Sequence, residues 1–113
     1  MRLHLQLLLI LLTTSLAFQA SASRFNEKKL YGNWCFYKQE YRGESVDEKV
    51  SISFREDGSY KWRDRGFKQT GVWKVTEDYL IMSGVGRHKL ISISSQRVTM
   101  ERISTMKMRK GRC

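Results

Sequence analysis

Proline is absent from the 113-residue sequence, and cysteine and histidine occur only twice each. Each scarcity excludes something. Without proline, the edges of a β-sheet must be blunted by charge. A zinc site needs three or four close ligands, usually His and Cys, and none is expected from His88 and a cysteine pair expected to be oxidised. A Ser-His-Asp triad would have to be built on His88, yet no serine sits in a nucleophile-elbow pattern. His88 is instead expected on the surface. Acidic residues are also few, with 11 Asp and Glu against 21 Lys and Arg, a formal net charge of +10. The length fits one domain, which excludes a multidomain enzyme, a large repeat array and a polytopic membrane protein. Gly84-Val85-Gly86-Arg87 has no helix after it and therefore forms a hairpin turn, not a phosphate loop. Asp57 and Asp78 belong to turns. No enzymatic function, metal or cofactor is expected.

Long apolar runs are equally scarce. The one example follows Met1 and Arg2, spans Leu3 to Ala17 and ends at the small residues Ala20-Ser21-Ala22. This is the pattern of a cleaved secretory signal over residues 1–22, with cleavage after Ala22. The run is short for a membrane span and is weakened by Thr13, Thr14, Ser15 and Gln19, so no transmembrane anchor is expected. The product is a single domain over residues 23–113, secreted or periplasmic and monomeric. An oxidising compartment lets Cys35 and Cys113 pair. That bridge closes a loop of about 79 residues, for which the chain-entropy estimate is at most about 4.5 kcal/mol. A free or intermolecular thiol at Cys113 is the alternative.

What the mature chain has in quantity is two-residue alternation. Phe25 to Leu30 forms a short helical turn with Asn26 as its cap. Trp34, Phe36 and Lys38 then alternate with Cys35, Tyr37 and Gln39. Val50, Ile52 and Phe54 alternate with polar residues up to the Glu56-Asp57-Gly58 turn. Tyr60 and Trp62, Trp73 and Val75, Leu80 and Met82, Leu90 to Ile93, and Val98 to Met100 follow. Met106 and Met108 supply a last short strand. Seven or eight short strands joined by tight turns predict an all-β protein, a small antiparallel up-and-down meander closed into a barrel or half-barrel.

The order of these segments resembles the lipocalin-like (calycin) families, especially their short secreted members. The likeness is carried by Leu30-Tyr31-Gly32-Asn33-Trp34, by Ile52 to Tyr60 with its Asp57-Gly58 turn, by Gly71-Val72-Trp73-Lys74-Val75 and Tyr79 to Met82, and by Ile91 to Ile93 and Val98 to Met100. The resemblance implies that Trp34 closes one end of the barrel and that a late-strand arginine packs across its face. Arg102 is the first match for that role and Arg109 the second. The chain is shorter than a full-length member and lacks its C-terminal helix, which argues against a large enclosed cavity.

Two functions follow as expectations. In the first, the protein binds a small apolar or amphipathic ligand, which is anionic if the rim charges take part, through Tyr60, Trp62, Trp73 and Met82 at the barrel mouth. In the second, the barrel is solid and an outer basic face of Lys61, Arg63, Arg65, Lys68, Arg109 and Lys110 binds an anionic macromolecule, an enzyme or a membrane surface. Export argues against nucleic acid as that partner.

Overall fold

The computed structural model describes residues 24–113, so the expected export segment lies outside the described residues. Asn26 accepts a hydrogen bond from the Lys28 amide at 3.0 Å and caps a 3₁₀ turn, Glu27–Leu30. Eight strands follow: β1 (Gly32–Tyr41), β2 (Glu44–Phe54), β3 (Ser59–Asp64), β4 (Phe67–Thr76), β5 (Tyr79–Met82), β6 (Gly86–Ile93), β7 (Arg97–Glu101) and β8 (Thr105–Lys110). Each pairs antiparallel with the next, and β8 pairs with β1, so the sheet closes into a complete barrel. Among the described residues no helix is long and apolar enough to cross a membrane.

Local chemistry explains the hairpins. Arg42 and Gly43 both have positive φ, 49° and 80°, between β1 and β2. A two-residue turn of this kind matches the right-handed twist of the flanking strands. At the next turn, Asp57 accepts hydrogen bonds from the Ser59 hydroxyl at 2.6 Å and the Ser59 amide at 2.9 Å. These bonds hold its carboxyl below the usual carboxylate range. Asp57 is thus a turn residue, as its sequence context indicated.

Two strands are longer than alternation alone suggested. The first half of β2, Glu44 to Lys49, is almost wholly exposed on both faces, so it carries no apolar period. β6 begins at Gly86, before its apolar residues. Register also shifts between Phe36 and Lys38 against both β2 and β8. The shift sets Gln39, not Lys38, opposite the buried Met106.

The interior is one apolar cluster running from Leu30 and Trp34 through Phe54, Tyr60, Leu80 and Leu90 to Met100 and Met108. Tyr60 fits because its cross-strand partner is Gly71. A Cβ at that glycine would lie 2.9 Å from the tyrosine ring. Burial by itself leaves a domain of about 90 residues only modestly stable, and a covalent tie adds to it. Cys35 and Cys113 are disulfide-bonded across 78 residues. Trp34 and Phe36 point inward, so Cys35 points outward and the bridge lies on the outer wall. The segment after β8 is laid back along β1, with the Gly111 amide donating to the Asn33 carbonyl at 2.8 Å.

Candidate functional site

The four aromatic and methionine candidates are packing residues of the interior. Met82 is buried, and Tyr60 is buried with its hydroxyl donating to the Ser83 carbonyl. Burial pushes that hydroxyl's pKa up. Trp73 lies at the end of the barrel that carries the 3₁₀ turn. Its ring is 5.0 Å from Phe54 and edge-on to Tyr31 at 5.9 Å, and its indole N–H donates to the Arg55 carbonyl at 3.0 Å. Trp62 alone of the four is half-buried, edge-on to Phe36 at 6.3 Å. None of the four lines the outer-wall groove described below.

Trp34 is fully buried at the end of the barrel that carries the 3₁₀ turn, and the cation over its ring is Lys110. The indole N–H donates to the Leu30 carbonyl at 2.8 Å, which fixes the 3₁₀ turn as a plug. The Lys110 ammonium lies 4.7 Å from the Trp34 ring centroid and also donates to the Tyr31 carbonyl. Burial lowers its pKa. Arg102 lies at the other end, just beyond β7, where its guanidinium donates to the Val85 carbonyl at 2.8 Å. Register decides the matter. β7 and β8 are antiparallel, so the start of β7 and the end of β8 lie beside Trp34. Lys110 therefore leaves the basic face and joins the plug.

The remaining basic candidates gather on the outer wall. The outward positions of β1 and β2 include the short polar residues Asn33, Ser51 and Ser53, while those of β3 include Lys61 and Arg63. Short side chains beside long ones leave a groove of about 390 Å³. Ile52, Arg55 and Arg112 complete its lining, so four cations and no carboxylate face it. Arg112 lies in the groove between Gly111, hydrogen-bonded to Asn33, and Cys113, bonded to Cys35. Arg65 lies in an adjoining hollow with Lys49, Ser51, Asp64 and Cys113. Lys68 stands directly across from Arg63. Arg109 stands across from both Cys35 and Arg97, and both guanidiniums flank the Tyr37 ring at 5.5 and 5.6 Å.

Sequence reasoning missed Arg55 and Arg112 as groove residues. Arg55 could have been found as the next outward position after Ser51 and Ser53. Arg112 could have been found from its place beside a bridged cysteine. The ion pairs Arg24–Asp78 and Lys107–Glu40 involve no groove cation. Cations were expected to blunt sheet edges, but a closed barrel has no edges to blunt.

His88 is a correction. It is 3% exposed, on the inward phase of β6 opposite Leu80. Its Nδ1 has no hydrogen-bond partner. Burial first, and then the Arg102 charge, lowers its pKa from 6.5. A base with a folded pKa below its unfolded one takes up protons on unfolding. Stability should therefore fall as pH drops below about 6.5, before most carboxylates titrate. Melting scans from pH 8 to 5 should show that fall in the wild type and a flatter profile in His88→Leu. Parallel profiles for the two proteins would refute it.

No family model matches the chain, and no curated protein matches it. Among solved structures, it is similar to a lipocalin-like protein from Bacteroides uniformis ATCC 8492, with a TM-score of 0.62 and 18% sequence identity. The match covers 74% of this chain and 99% of that one.

Proposed function

We propose that this lipocalin-like barrel is an extracytoplasmic, monomeric, non-enzymatic binding protein that holds an anionic group in its outer basic groove. The observation that carries this reading is the pairing of like charges. Arg63 stands directly opposite Lys68, and Arg97 directly opposite Arg109. Like charges facing each other across strands are destabilising. Of these four, Arg63 lines the groove, together with Arg55, Lys61 and Arg112 and without a carboxylate. An anion seated in the groove offsets the repulsion among these groove cations and gains charge-assisted hydrogen bonds. The disulfide fits an oxidising compartment.

The test is titration calorimetry with a sulfated disaccharide. Binding should weaken several-fold between about 0.05 and 0.3 M salt as screening shortens the Debye length. Arg63→Ala and Arg112→Ala should each cost about ten-fold in affinity, the worth of one charged hydrogen bond. Salt-independent binding, or full affinity in both variants, would exclude the groove.

Half-buried Trp62 favours a second reading, a small apolar ligand at the barrel end opposite the 3₁₀ turn. Fatty acid should then quench tryptophan fluorescence independently of salt. An unchanged spectrum would count against it.

A further inference from the structure

Five successive pairings place one outward residue of each strand on a single line across the sheet: Arg97, Arg109, Cys35, Ser51, Arg63 and Lys68. The line crosses six of the eight strands, β7, β8, β1, β2, β3 and β4. At a strand spacing of about 4.8 Å it runs about 24 Å along the wall. Cations occupy both ends, and the groove with Arg112 and Lys61 borders its middle. Its middle positions are Ser51 and Cys35, the latter bonded to Cys113, which lines the hollows beside Arg109 and Arg65. Asp47 and Glu48 line the hollow beside Arg109, and Asp64 the hollow beside Arg65. These carboxylates border the line without interrupting it.

We infer that the groove is the central part of a longer track, and that its ligand is a flexible acidic polysaccharide lying across the strands. This rests on the groove being the anion site. The geometry selects the occupant. A track over three quarters of a barrel wall curves away from any plane, so a membrane surface meets only part of it. Duplex nucleic acid is too stiff to follow such a curve. Single-stranded nucleic acid is held by bases stacking on open aromatic faces. The aromatic ring on this track, Tyr37, has Arg97 and Arg109 over it. A sulfated or carboxylated sugar chain needs only spaced cations and the freedom to bend.

The test uses mature protein and sulfated glucosamine–uronate oligosaccharides of graded length at fixed low salt. Affinity should rise at least ten-fold from the disaccharide to chains spanning about 24 Å, then level off. The double variant Lys68→Ala/Arg97→Ala, which changes the track ends and spares the groove, should lose that gain while binding the disaccharide as the wild type does. Its unchanged melting temperature would show that the barrel is intact. Length-independent affinity that still needs Arg63 and Arg112 would overturn the track and leave the groove standing. Absence of binding at every length would overturn both. Tighter binding of a single-stranded oligonucleotide of equal charge, or of phosphatidylglycerol vesicles, would overturn the polysaccharide assignment.

Discussion

Trp34→Ala should cost about 3–5 kcal/mol of stability, the range for deleting a large buried aromatic. Three losses coincide at this residue. The ring is fully buried, so its removal leaves a cavity at the plugged end of the barrel. The Leu30 carbonyl loses its indole donor, and Leu30 is itself fully buried. The Lys110 ammonium loses the aromatic face it rests on, while burial already disfavours its charge. Domains of this size have about 5–15 kcal/mol in all, so the variant should lose a large share of its stability. Urea unfolding should show a lower midpoint with an unchanged slope. Trp34→Phe, which keeps most of the apolar area and loses only the N–H, should cost clearly less. A cost below about 1 kcal/mol for the alanine variant would mean that the 3₁₀ turn is not held by this side chain.

Reduction of the Cys35–Cys113 bridge should have two separable effects. The first is a stability loss of about 2–4.5 kcal/mol, bounded above by the loop-closure entropy of 78 intervening bonds along the chain. The second is a loss of anion affinity. Arg112 lies in the groove between two anchors of its segment, the Gly111–Asn33 hydrogen bond and the disulfide at Cys113, and reduction removes the second. Reduced wild type, assayed well below its unfolding midpoint, should bind the sulfated disaccharide as weakly as oxidised Arg112→Ala does. Reducing that variant should cost little more. This is a double-mutant cycle in which one change is chemical. Additive losses would show that the bridge and Arg112 act independently, and that the groove does not depend on the covalent tie.

Much of the barrel was legible because its core is written in alternation. Val50, Ile52 and Phe54, Tyr60 and Trp62, and Trp73 and Val75 mark inward phases that the structure keeps. Where a strand is exposed on both faces, as from Glu44 to Lys49, there is no period to read. The position of His88 was lost for a related reason. It comes before the apolar residues of β6, so the strand's start was not visible. The partner of Trp34 was misassigned because Arg102 and Lys110 differ by eight positions that a hairpin folds to opposite ends of the barrel. The groove was partly legible. Lys61 and Arg63 share a strand face, which spacing alone reveals. Their meeting with Arg55 and Arg112 depends on register between strands and on a bridge linking distant parts of the chain.

The pairing of β8 with β1 also has a meaning in time. Trp34 lies beside Lys110, and Gly111 bonds back to Asn33. A chain delivered from its N-terminal side offers β1 one partner early, in β2, and withholds the other until residues 105–110 have arrived. Contacts this distant in sequence form slowly, and an unpaired strand edge is exposed in the interval. The sheet therefore stays open until β8 is in place, and the Cys35–Cys113 bond then ties the segment after β8 to β1 across the seam.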